Sequence, residues 1–204
     1  MARVISKVIH SDCSGLPLQA NLNEKIYKML FLDIGLMNGI SGVNWRSLSG
    51  LDALSLVNEG AMAEQFIGQH LQNLLFDTPN RELTYWLREG RSNNAEIDYV
   101  IALQGAIVPI EVKAGASGTL KSLHHFMAEK KAPLAFRFDA NLPTSSKIEA
   151  DIPTKTGRQA VSYPLVSLPL YLVERLPEIV GYWQSDIPMP PRGKAKRRSI
   201  TKQL

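Results

Sequence analysis

Cysteine is nearly missing from this 204-residue chain. Cys13 is the only one, which excludes an intramolecular disulfide framework and most simply implies a reducing compartment. No apolar run reaches the ~18 residues of a membrane-spanning helix, and no signal-peptide pattern opens the chain. The expectation is a cytoplasmic protein without a membrane partner. No Gly-x-x-x-x-Gly-Lys-[Ser/Thr] sequence occurs, so no phosphate-cradling ATP site of that kind is encoded. Acid is lacking from residues 187–204, which hold Arg192, Lys194, Lys196, Arg197, Arg198 and Lys202. Without those six the chain has 17 basic against 19 acidic residues, so the tail supplies the whole positive excess. Its Pro-led, apolar-poor composition predicts disorder, with contact to nucleic-acid phosphate or plain solubilisation as its uses.

What is present fits a soluble globular domain: 45% hydrophobic and 21% charged residues, over a length suited to one domain plus a small appendage. "ARVISKVIH" and "KIYKMLFLD" read as two strands around a loop, a long hairpin. "DIGLMNGI" predicts a short helix capped by Asp33, and "SGLDALSLVN" another. From Glu59 to about Phe76 the pattern is helical. Ala63, Phe66, Ile67, His70, Leu71, Leu74 and Leu75 form the apolar stripe, with Glu64 on its flank. Strands are expected at 83–89, 95–103, 106–113, 132–139 and 160–166, and helices at 118–131 and 169–183. Residues 141–159 read as mostly loop. The order predicts an α/β domain with a mixed sheet.

"EIDYVIALQGAIVPIEVKAG", residues 96–115, reads as a β-hairpin turning at Gln104-Gly105. That register sets Asp98 opposite Glu111 and Glu96 opposite Lys113. Like charges facing each other destabilise a sheet. A divalent cation relieves the conflict, since Mg²⁺ binds through one or two carboxylates plus waters and phosphates. Lys113 points the way Glu111 does and can neutralise developing charge. The chemistry this geometry serves is metal-assisted phosphodiester hydrolysis. The bland alternative is an exposed polar strand face, and a three-residue loop would remove the pairing.

A helix carrying Glu64, a strand with Asp98, then Glu111-Val112-Lys113 closing the next strand resembles the PD-(D/E)xK nuclease superfamily. That resemblance implies a restriction-endonuclease-like mixed sheet flanked by helices. Ile97 stands where the superfamily usually has proline. "KIYKMLFLDIGLMNGISG", "GAMAEQFIGQHL", "YWLREGRSNNAEIDYVI", "IVPIEVKAG" and "LKSLHHF" resemble blocks of domain-of-unknown-function family 4143. That domain is typically the C-terminal half of prokaryotic AAA-type ATPases. The resemblance implies a remnant of a winged-helix-like segment at 1–58 (a β-hairpin and helical appendage), a PD-(D/E)xK-like domain at 59–186 and the basic tail at 187–204. It implies that the chain is a truncated or split version of a longer protein. By position, Asp98 and Glu111 would bind Mg²⁺ or Mn²⁺ and Lys113 would orient the water. Glu64 would hold a second-shell water or a second metal. DNA and an ATPase domain or subunit are the implied partners. The competing expectation is a non-catalytic docking or regulatory module of an ATPase.

Other residues have plainer expectations. Glu96 is expected to pair with Lys113 rather than ligate. His70 is expected to be buried and satisfied. Of His124 and His125, one should flank the core and the other face water. Of Tyr85 and Trp86, one should be core and the other free to stack on a base. Arg88 ends its strand exposed, or within reach of phosphate. Cys13 has no histidine motif near it and is not expected to be a nucleophile.

Overall fold

The computed structural model describes residues 4–40, 59–78, 81–89, 94–115, 119–154 and 157–185. The helix expected within 49–58 and the basic tail lie outside the described residues. The strands are β1 (Ile5–Ser11), β2 (Leu22–Phe31), β3 (Thr84–Arg88), β4 (Ala95–Leu103), β5 (Ala106–Val112), β6 (Ala135–Asp139), β7 (Thr144–Thr154) and β8 (Gly157–Pro169). The helices are α1 (Ile34–Ile40), α2 (Glu59–Leu74), α3 (Lys121–Lys130) and α4 (Leu176–Gln184), with 3-10 turns at Leu18–Asn21 and Leu170–Arg175. Among the described residues no helix is long and apolar enough to cross a membrane.

The strands form one eight-stranded sheet in the order β2-β1-β3-β4-β5-β6-β8-β7. The pairs β1–β3, β5–β6 and β6–β8 are parallel and the others antiparallel. The expected mixed sheet flanked by helices is therefore what forms. Helix α2 lays Ile67 and Leu71 on one face, where Phe136, Phe138 and α4 residues Leu176 and Val180 join them. Helix α3 lays Leu123, Phe126 and Met127 on the other face, against Trp86, Ile97 and Tyr163. Each such fully buried apolar side chain contributes about 1.5–3 kcal/mol.

Two expectations need correction. The N-terminal hairpin is not an appendage. β1 pairs with β3, and Val8 and Leu30 enter the α2-side core. Residues 141–159 are not mostly loop, because β7 and β8 build a long antiparallel hairpin. Ile148, Ala150, Val161 and Tyr163 alternate toward the α3 side, while most of the opposite face of β7 is exposed. Pro153 is tolerated because β7 is an edge strand.

Local chemistry explains the junctions near the site. Asp33 Oδ1 accepts the Leu36 N–H at 2.7 Å and starts α1. Gln65 of α2 accepts the Phe31 N–H at 3.2 Å and donates to the Phe31 carbonyl at 2.9 Å, locking the helix to β2. Gly68 lets α2 approach the sheet, since a Cβ there would collide with Tyr99 Oη and Leu30 Cδ1.

Candidate functional site

The site begins at the β4–β5 turn. Gln104 and Gly105 have φ of 49° and 78°, the two positive values a tight type I′ connection needs. The register is the expected one from Leu103↔Ala106 to Tyr99↔Ile110. Beyond Tyr99 regularity ends. Trp86 pairs with Ile97 and Thr84 with Val100, so Asp98 and Tyr99 together oppose Tyr85 alone. This is a β-bulge, which re-aims side chains. Its effect is visible in the cores. Ala95 and Ile97 enter the α3-side core, whereas Tyr99 and Ile101 enter the α2-side core.

Asp98 sits at that reversal. Its Oδ2 accepts the Val112 N–H at 2.7 Å, so the carboxylate bridges the ends of β4 and β5. Glu111 lies between Ile110 and Val112, both in the α2-side core. Its side chain therefore leaves from the opposite face, where Tyr163 is close enough to feel its charge. Glu111 is 4% exposed. Lys113 Nζ donates to Glu111 Oε1 at 2.6 Å. Among the described residues, Glu111 Oε2 is buried with no hydrogen-bond partner. Glu64 reaches the group from the flank of α2, and its backbone carbonyl accepts the Tyr99 hydroxyl at 2.9 Å.

Sequence reasoning missed Lys28. It extends from β2 on the same side as Leu30, facing α2. Its Nζ forms an ion pair with Glu96 Oε1 and stands 3.8 Å from both Glu64 Oε2 and Asp98 Oδ1. The Tyr85 ring lies beneath it, 5.0 Å from Nζ to centroid. No local signal marked Lys28, because Tyr27 and Met29 on the alternate positions are apolar in sequence and prove exposed only in the structure. Glu96 thus pairs with Lys28 and not with Lys113, because the bulge moves Glu96 out of the hairpin register.

Electrostatics follow from burial and mutual repulsion. Burial, and then the Asp98 charge, push the Glu64 carboxyl up to about 7 against the pull of Lys28. Burial and Asp98 likewise push Glu111 up to about 7 despite its Lys113 bond. Burial raises Asp98 too, opposed by Lys28 and the Val112 N–H. Burial alone would lower the Lys28 ammonium, but Asp98, Glu96 and Glu64 outweigh it and raise it. Among the described residues, Glu64, Glu96, Asp98 and Glu111 form ion pairs with Lys28 and Lys113 alone. When all are ionised the group carries two more negative than positive charges.

Among the described residues no three His, Cys, Asp or Glu side chains stand in ligating proximity. The carboxylates that could offer oxygen to a metal are Asp98 and Glu111, whose Oε2 has no hydrogen-bond partner among the described residues. Two hard oxygen ligands plus waters suit Mg²⁺ or Mn²⁺ rather than zinc.

The remaining expectations divide. Tyr85 and Trp86 are both buried, in opposite cores, so neither is free to stack on a base. His70 is half-buried, not buried, and its Nδ1 lies 3.0 Å from Glu174 Oε1. His125 is buried with Arg88 Nη1 3.2 Å from its Nδ1, and half-buried His124 meets the Tyr163 hydroxyl at 2.8 Å. The exposed Arg88 thus lies against α3. Burial pushes the Cys13 thiol up to about 12, which keeps it protonated and unreactive.

No curated protein and no solved structure matches this chain. Residues 59–165, which carry Glu64, Asp98, Glu111 and Lys113, match the family described as "Domain of unknown function (DUF4143)", and the chain belongs to that family.

Proposed function

We propose that this chain is a PD-(D/E)xK-like, restriction-endonuclease-like domain that binds DNA and hydrolyses phosphodiester bonds with Mg²⁺ or Mn²⁺. The observation that carries the reading is Glu111: a buried carboxylate with one oxygen on Lys113 and the other without a partner, next to Asp98. A buried carboxylate oxygen without a partner calls for a water, an ion or a ligand to complete it. Asp98 and Glu111 would hold the metal, which when bound would polarise a phosphoryl oxygen and lower the pKa of a water. Lys113, fixed by Glu111, offers positive charge where the transition state gathers negative charge, and its free protons orient the attacking water. Glu64, whose carboxyl is pushed up to about 7 by burial and Asp98, is suited to hold a water beside the metal and take up its proton.

A specific observation favours a second reading. Both Asp98 oxygens are already engaged, Oδ1 toward Lys28 and Oδ2 by Val112. A site so occupied by its own side chains suits a non-catalytic docking or regulatory module of an AAA-type ATPase. Calorimetric Mn²⁺ titration of the wild type and Asp98→Ala separates the two, followed by incubation with linear, circular and single-stranded DNA. The nuclease reading expects metal binding and cleavage that both vanish in Asp98→Ala. A folded wild type that binds no metal overturns it and leaves the docking module.

A further inference from the structure

Lys28 comes from β2, outside the span that matches the family, yet its ammonium lies inside the acidic group of the site. It pairs with Glu96 and stands within 4 Å of one oxygen on each of Glu64 and Asp98. The same strand is clamped to α2 through Gln65, so Lys28 is delivered on a rigid element. Its ammonium stands over the Tyr85 ring. A compact cation on a clamped strand, amid three carboxylates, has the placement of an internal counter-ion.

We infer that Lys28 is an intramolecular competitor of the divalent cation for Asp98, so that metal binding and the Lys28 ion pair oppose each other. The inference rests on the metal-site reading above. Asp98 Oδ2 is held by the Val112 N–H, which leaves Oδ1 as the oxygen for which a metal and Lys28 would compete. Oδ1 is the atom that Lys28 faces. A metal on Oδ1 and the Lys28 ammonium are two positive charges at nearly one place, and their repulsion weakens whichever of the two contacts forms second. By linkage, whatever weakens the Lys28 contact tightens the metal, and a bound metal loosens Lys28 from Asp98. The N-terminal hairpin thereby sets how much free metal is needed to fill the site.

Mn²⁺ affinity of the wild type, Lys28→Met and Lys28→Arg is measured by calorimetry. Lys28→Met is expected to bind about tenfold or more tightly than the wild type, and Lys28→Arg to stay near it because the charge is kept. A wild type that binds Mn²⁺ and a Lys28→Met that binds equally or more weakly overturn the competition and leave the metal reading standing. No binding by either protein overturns both. Binding by Lys28→Met alone upholds the competition but overturns the nuclease reading of the wild type, because its own lysine then excludes the ion. A second measurement needs no variant and holds if Lys28→Met fails to fold. The side-chain ¹⁵N resonance of Lys28 in the wild type should shift toward that of a solvated ammonium as Mg²⁺ is added. A resonance that does not move while Mg²⁺ saturates the site refutes the inference.

Discussion

Replacing Glu111 by glutamine should make this protein more stable at pH 8 and leave it nearly unchanged at pH 5. Glu111 is 4% exposed, and its carboxyl is pushed from an ordinary 4.5 up to about 7. A group whose folded pKa is raised binds more protons folded than unfolded between those two values. Stability is therefore full below 4.5 and is lost as pH rises through 7. Moving one carboxyl from 4.5 to about 7 corresponds to a loss of about 3 kcal/mol once the pH is above both. Glutamine keeps the shape and removes that loss. It also leaves Lys113 without its partner, but that side chain is 28% exposed and partly solvated, a penalty of about 1 kcal/mol. Relaxation around the mutually repelling carboxylates trims the loss further, so the net expectation is a gain of about 1–2 kcal/mol at pH 8. Urea unfolding with EDTA present, at pH 5 and pH 8, reads it directly. A variant less stable than the wild type at pH 8 would refute the reasoning, because it would mean that the ionised Glu111–Lys113 pair is net favourable. Mg²⁺ adds a second check: it should stabilise the wild type at pH 8 and leave the Gln variant unaffected.

Two further outcomes rest on packing and on histidine. Gly68→Ala forces Tyr99 and Leu30 away from α2 and should destabilise by about 1–3 kcal/mol, read as a lower thermal midpoint. The His125 imidazole is lowered from 6.5 by burial and by Arg88 and Lys121, against Glu129. A lowered folded pKa gives stability that is present above 6.5 and lost as pH falls through the folded value. Unfolding between pH 7 and pH 5 should therefore show a loss that His125→Phe diminishes. Equal slopes in the two proteins would exclude His125 as a source.

Much of the framework follows from local pattern. The α2 stripe appears as expected because Ala63, Ile67, Leu71 and Leu75 recur at helical spacing and reach one core. The β4–β5 register was legible because Gly105 marks the turn and hairpin pairing counts outward from it. Asp33 announced the start of α1. β7 and its pairing with β8 were not legible, although the strand expected at 160–166 lies within β8. The hairpin's Ser, Thr, Lys and Pro residues carry turn signals, and its apolar residues show strand period only once one face has a core to meet.

The chain's own pattern determined which residue types lie close together: Asp98 and Glu111 on adjoining strands, Lys113 two residues on, and Glu64 on the preceding helix. Tertiary structure alone decided what they touch. The bulge at Asp98 and Tyr99 depends on how β4 meets β3, a partner distant in sequence, and it is what sends Glu96 away from Lys113. Lys28 reaches Glu64 and Asp98 only because β1 joins β3 and carries β2 alongside α2. The unpartnered Glu111 oxygen and its raised pKa come from burial, which no window of sequence contains. Local periodicity selects elements and faces. Long-range contacts, which close only when the whole sheet assembles, set the charges and bonds around each side chain.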